Sequence, residues 1–357
     1  MKVPELREKL AKLKKEELIK VAVEFYKLVP KSKKEDNDLD ELIENPTQPK
    51  VVKQTNTSVD WEELEKEISQ FIIHAKEQYY VYPNKIVSKK ERSTWRFKVK
   101  NWYKLLTNTK QKDVNPELQV KLAINLYELL CEGCDYIYFS SNDPFQSIQV
   151  EQQVFFKSLI ALIQERIGKS ESVDKGIELI VNNSLDMNTL KTYLAFELIA
   201  TLQIPDLKER GIKKVKQLLE ANQLRYENLA KELEDKTDKK GRVIRDYALT
   251  EKRRKLEYRI QTINNDLTKI GLLFYESLYK IKDGIIFYNT HYKEKDEIKL
   301  YILIDQIFKD EYKNEIKSEI EKALQNEVKL RDALLNTLKV IEQGEKLPRN
   351  ISQLRYQ

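Results

Sequence analysis

The side chains best suited to chemistry are scarce in this chain of 357 residues, which holds two Cys and two His. The cysteines fall in one C-x-x-C, Cys131-Glu132-Gly133-Cys134. A structural zinc site needs four ligands, and no further Cys exists to complete one. A thioredoxin-like motif requires a βαβ setting, which the surrounding helical pattern does not provide. The two thiols therefore read as helical core residues. His74 lies among Phe71, Ile72 and Ile73 and reads as an ordinary helix residue. Neither His74 nor His291 sits in a nucleophile context. The 58 acidic residues single out no catalytic pair. Asp36, Asp38 and Asp40 begin like a calcium loop, but the places for the loop glycine and the closing glutamate hold Glu41 and Thr47. Tyr79, Tyr80 and Tyr82 could stack bases, but packing at a helix end is the simpler reading. No metal and no cofactor is expected.

Charge is what this chain has in excess, and it is sorted. Between Lys85 and Lys112 there are ten basic residues and one acidic residue, Glu91. That stretch carries net +9, so the rest of this +6 chain is about −3. On a helix, Trp95, Val99, Trp102 and Leu106 make one stripe, with the spacing of a core face. Arg92, Arg96, Lys100 and Lys104 make another at i+4 steps, with Lys89 at its start. Such a stripe either binds phosphate or is a solvated face. A second cluster spans Lys236–Arg259, with ten basic and four acidic residues and the run Lys252-Arg253-Arg254-Lys255. The segment Glu35–Glu44 is the reverse, with six acids, no base and the apolar residues Leu39, Leu42 and Ile43.

Glycine usage bounds the fold. There are only eight glycines, and no two lie closer than eight positions. A G-x-G-x-x-G or a P-loop is thus absent, and with it the clustered backbone N–H groups that cradle phosphate. Hairpin-rich β folds lack their turn residues as well. The apolar pattern is helical throughout, so the predicted fold class is all-α.

The expected organisation has five parts. Residues 1–30 form a helical hairpin, with Leu18, Val21, Ala22 and Phe25 as its apolar stripe and Pro30 as its stop. Residues 31–58 are a flexible acidic and polar linker. Residues 59–205 are a helical core domain, either a bundle or a short irregular α-solenoid. Its helices open at Asp60, near Lys89, at Asn115-Pro116 and at Asp143-Pro144, the last reaching about Ile167. Residues 206–284 are a projecting antiparallel coiled-coil hairpin that turns at Gly241. Its seam is Leu249, Leu256, Ile260, Ile263, Leu267, Ile270 and Phe274, interrupted once by Arg253. Val215, Leu218, Leu219, Tyr226, Leu229 and Leu233 form the facing stripe. Residues 285–357 are a C-terminal helical segment, helical over roughly 294–343 after a connector at Gly284–Tyr292, and end in a loose tail from Leu347.

Three stretches carry a resemblance: LREKLAKLKKEELIKVAVEFYKLVPK (6–31), PNKIVSKKERSTWRFKVKNWYK (83–104) and SSNDPFQSIQVEQ (140–152). Over roughly residues 1–205 the chain resembles a group of uncharacterised bacterial all-helical proteins. The resemblance implies a helical fold and transfers no activity and no functional residue. The opening hairpin is distantly similar to helical N-terminal modules of some transcription factors that contact nucleic acid, through Leu10, Leu13, Glu17, Leu18 and Ile19.

The charged N-terminus, the lack of an ~18-residue apolar run and the two cysteines point to a reducing cytoplasmic setting and away from a membrane. The expected function is non-enzymatic: a helical adaptor that docks a protein partner through the hairpin and its basic patches. A second reading is a nucleic-acid-binding protein using the helix at 89–107 and the basic tip. A third is a carboxylate metalloenzyme in a helical bundle. The sequence leaves the oligomeric state open.

Overall fold

The structure is a computed structural model that describes residues 3–30, 34, 43, 59–110, 115–232 and 247–355. Among the described residues there are fifteen α-helices and no strand. The chain divides into two compact units, residues 1–58 and 59–357. The acidic segment Glu35–Glu44, apart from Ile43, and the turn at Gly241 lie outside the described residues.

The first unit contains α1 (Val3–Ala11) and α2 (Lys15–Leu28). The Glu17 carboxylate accepts from the Lys14 backbone N–H at 2.9 Å and so closes the first turn of α2. No residue of α2 is buried, and Ile19, Phe25 and Leu28 are exposed. Two short helices lack the area to enclose a core.

The second unit begins with α3 (Trp61–Lys76), α4 (Lys89–Leu106) and α5 (Pro116–Asp135). Each opens on a side-chain cap. Asp60 accepts from the Glu62 and Glu63 backbone N–H groups at 3.1 and 3.0 Å. Ser88 and Glu91 form a capping box, and Asn115 caps α5 ahead of Pro116. These helices pack Trp95, Val99, Trp102 and Leu106 inward as the spacing predicts. Trp95 stacks on Phe139 at 3.9 Å, and Trp102 meets Phe71 edge-on at 5.3 Å.

The single helix expected from Asp143 to Ile167 is two helices, α6 (Pro144–Ile148) and α7 (Gln152–Arg166). Gln149 adopts a left-handed conformation at φ 55° and ends α6. No glycine or proline marks this break in the sequence. It brings Val150 into the core and puts the buried Gln152 at the start of α7. Helices α8 (Lys169–Asn182) and α9 (Lys191–Ala200) follow. Gly168 makes the α7–α8 corner at φ 139°, a conformation closed to side chains with a Cβ.

The two long helices are α10 (Pro205–Glu232) and α11 (Tyr247–Ser277). They run antiparallel. Lys208 bonds to the Ser277 carbonyl at 3.1 Å, Asn222 to Asn264 at 2.8 Å, and Tyr226 to Glu257 at 3.2 Å. Ile260, Leu267, Ile270 and Phe274 of the expected seam are buried, and Leu256 and Ile263 are half-buried. Val215 and Leu219 face them as buried residues, with Leu218 and Tyr226 half-buried. The side chains of Leu229, Leu233 and Leu249 lie outside the described residues. The inner half of this pair belongs to the main core, which joins Ile212, Val215, Leu219, Leu267 and Phe274 to the helices before it.

The expected connector at Gly284–Tyr292 lies almost wholly within a helix, α12 (Ile281–His291). Gly284 sits within its first turn because Leu272 and Tyr275 of α11 come too close for a side chain. Then come α13 (Asp296–Gln306), a short 3-10 turn at Asp310–Tyr312, α14 (Lys313–Gln325) and α15 (Asp332–Glu342). They enclose a second core around Tyr288, Ile304, Ile307, Ile316, Ile320 and Leu334. The expected loose tail is docked. Ile351 and Leu354 are fully buried in that core, and Asn336 donates to the Leu354 carbonyl at 3.0 Å. Leu347 and the short apolar pair past Pro348 gave no period from which docking could be read.

Candidate docking grooves on the long helix pair

The sequence candidates fall at two places. The first is α4, which packs chiefly on α5 and α6 and meets α3 through Trp102 and Phe71. Arg92 donates to the Val87 carbonyl at 2.6 Å, and Lys100 donates to Gln149 Oε1 at 2.9 Å. Arg96 donates to the Ser93 carbonyl at 3.1 Å and lies over the Phe97 ring. Lys98 pairs with Glu67 at 3.7 Å. Among the described residues no carboxylate pairs with Lys85, Lys89, Lys90 or Lys104. Three of the four stripe residues, Arg92, Arg96 and Lys100, thus bond to neighbouring protein groups, while Lys89 and Lys104 stand exposed.

The second place is the outer part of the α10–α11 pair. Past Leu219 on α10, and before Ile260 on α11, no described side chain is buried. A groove of about 800 Å³ runs between the helices here. From α10 it takes Ala221, Leu224, Arg225 and Asn228, and from α11 it takes Lys252, Lys255, Leu256 and Arg259. Both sets follow i, i+3, i+4, i+7, so each is one face of its helix. Four cations line the groove, and among the described residues no carboxylate does. Glu251 lies outside it and binds Arg254 in two contacts at 3.1 and 3.2 Å, with Lys255 at 3.6 Å. Among the described residues no carboxylate pairs with Arg225, Lys252 or Arg259. Leu224 lines this groove, is 60% exposed, and also borders the second groove of the pair.

Of the basic run, then, Lys252 and Lys255 enter the groove, whereas Arg254 is tied to Glu251 and Arg253 does not line it. Sequence reading missed Arg225. No other basic residue lies between Lys216 and Lys231 on α10, and only the antiparallel register brings Arg225 to a face shared with α11.

A second groove, of about 930 Å³, lies between α10, α11 and the end of α12. Lys216, Glu220, Tyr226, Glu257, Asn264, His291 and Lys293 line it. Its charge is mixed. Burial, with Lys216 and Lys293 nearby, pulls the His291 imidazole below its ordinary pKa. The imidazole rests on Phe287 at 4.7 Å between ring centres. Asn265 pins the loop beyond α12, accepting from the Lys293 N–H at 2.9 Å and donating to its carbonyl at 3.0 Å.

The thiols have a structural setting. Gln152 Nε2 donates one N–H to the Ser184 carbonyl at 2.9 Å and shares the other between Cys131 Sγ at 3.2 Å and Tyr127 Oη at 3.3 Å. The Asp186 N–H donates back to Gln152 Oε1 at 2.8 Å. Burial pushes the Cys131 thiol well up, so it is a poor nucleophile at neutral pH. His74 bonds to Gln70 at 2.7 Å within its own helix. Tyr80 is buried against Phe71. Among the described residues no three His, Cys, Asp or Glu side chains are grouped as metal ligands, and no helix is long and apolar enough to cross a membrane.

No family model, curated protein or solved structure matches this chain.

Proposed function

We propose that this chain is a non-enzymatic docking protein that holds an acidic macromolecular partner on the heptad-spaced α10–α11 pair. The observation that carries this reading is the groove lined by Arg225, Lys252, Lys255 and Arg259, with no acid among its described lining residues. Four like charges held along one groove repel one another, and an anionic partner relieves that repulsion while steering its own approach. The exposed Leu224 lining it adds apolar area that a docked partner would cover.

The experiment is affinity capture from the native cell, with the full chain and with a variant carrying Arg225→Glu and Arg259→Glu. A partner retained by the wild type and lost by the variant supports the reading. Retention of every partner by the variant refutes it. Point changes serve better than excision of residues 213–260, since that excision would also remove Val215, Leu219 and Ile260 from the interior.

The exposed cations on and just before α4 favour a second reading, in which Lys85, Lys89, Lys90, Arg96 and Lys104 bind nucleic acid phosphates. Its signature is an affinity whose logarithm falls with log salt by about 0.9 per phosphate neutralised on duplex DNA. No shift of a duplex probe at low salt removes it.

A further inference from the structure

The cationic groove belongs to two antiparallel helices, each giving it one i, i+3, i+4, i+7 face. A face of that kind is what a helix offers to a neighbouring helix, with the side chains as ridges and the space between as the receiving groove. Each face spans about 10 Å, or two turns, at 1.5 Å per residue. Ala221, Leu224 and Leu256 provide apolar contact, and the four cations and Asn228 provide the polar edge. The main core ends just inside this point, at Leu219 and Ile260. Among the described residues, the groove past this point is lined by these two helices alone.

We infer that the occupant of this groove is an acidic amphipathic helix of the partner, laid along α10 and α11 as the third helix of a short three-helix arrangement. This inference rests on the docking reading above and specifies its partner. The helix would be about three turns long, with Leu-like residues at i, i+3 or i+4, and i+7 against Leu224 and Leu256. Asp and Glu on its flanks would meet Arg225 on the α10 side and Lys252, Lys255 and Arg259 on the α11 side. Arginine suits this role because its guanidinium fork donates two parallel N–H bonds to a carboxylate. The apolar lining decides between partner classes. A nucleic acid backbone would use the four cations but gains little from Leu224 or Leu256, whereas an amphipathic helix uses both sets.

The test uses the full chain and a labelled synthetic peptide of about three helical turns, built from Leu in the stated spacing and Glu elsewhere, read by fluorescence anisotropy. The controls are the same composition with two central prolines and a duplex DNA of about 20 base pairs. The protein arms are wild type, Arg225→Glu with Arg259→Glu, and Leu224→Ser. All three positions are exposed, so melting curves of the variants should match the wild type; Lys252→Glu replaces the double variant if its curve does not. The inference expects the helical peptide to bind and the proline peptide not to bind. Charge reversal should weaken the peptide by more than tenfold. Leu224→Ser should weaken it by roughly tenfold, as expected for losing one buried leucine, and leave DNA unaffected. Absence of peptide binding at about 100 μM overturns the inference, as does binding indifferent to Leu224→Ser. Tighter binding of DNA, lost on charge reversal alone, also overturns it. If the native partner is still lost on charge reversal while the peptide never binds, the docking reading stands and the helical partner falls. If neither responds, both fall.

Discussion

Asn222 donates from Nδ2 to Oδ1 of Asn264 at 2.8 Å, directly across the long helix pair. The bond sits where the buried seam ends, with Leu219 and Ile260 among its neighbours in sequence. A paired asparagine in an apolar seam marks register, because a slipped alignment leaves the amides unpaired. Asn264→Ala should lower stability by about 1 kcal/mol. It should also speed amide exchange in residues 220–228 and 250–259 more than in the inner half of the pair. Uniform exchange along both helices would contradict the register role.

The crossing of α11 with α12 depends on Gly271. A methyl added there runs into the ring of Phe287, which is itself buried. Alanine would gain up to about 1 kcal/mol of helix propensity, but overpacking a filled core costs about 1–3 kcal/mol. Gly271→Ala should therefore lower the urea midpoint. A raised midpoint would mean that the ring yields and the packing is looser than described.

The C-terminal residues are structural. Leu354 is buried and its carbonyl is held by Asn336. Leu354→Ala should cost about 2–5 kcal/mol, the range for a buried leucine. Truncation after Lys346 should expose α14 and α15 to protease. Unchanged stability after either change would show that the tail contributes nothing to the second core.

His291 gives a pH signature. Its folded pKa lies below the ordinary value of 6.5, through burial and through Lys216 and Lys293. The unfolded chain therefore binds the proton more readily, and stability rises with pH in the window between the two values. The contribution is present above pH 6.5 and is lost as pH falls through the folded pKa. With two histidines in the chain, imidazole resonances are simple to follow. The His291 signal should titrate below 6.5, and Lys216→Gln should move it upward. His291→Gln should flatten the fall in stability on acidification. Titration at or above 6.5 would contradict the electrostatic picture of this groove.

Much of the helical fold was legible because periodicity and caps are local. Asp60, Ser88 with Glu91, and Asn115 with Pro116 open their helices as their residue types dictate. The tryptophan stripe of α4 points inward as its spacing requires. The misses share another cause. The break at Gln149 is a left-handed residue held by its surroundings, with no Gly or Pro to announce it. Gly284 looked like a break and is instead a close contact with Leu272 and Tyr275. The tail docks through Ile351 and Leu354, too few residues to show a period. The groove was half legible: Lys252 and Lys255 stood in a visible basic run, but Arg225 joins them only through the pairing of two helices distant in sequence.

The most direct measurement is site-specific photo-crosslinking in the native cell. A photoreactive residue is placed at Leu224, which lines the cationic groove and borders the second groove, and in a second protein at Ile286, which is exposed on α12 outside either groove. Charge reversal at Arg225 and Arg259, which line the cationic groove and not the second, tells the two grooves apart. A discrete adduct from position 224, absent from position 286 and abolished by Arg225→Glu with Arg259→Glu, is the predicted result. No discrete adduct from 224, or the same adduct from both positions, would contradict the claim that this groove is where the protein docks its partner.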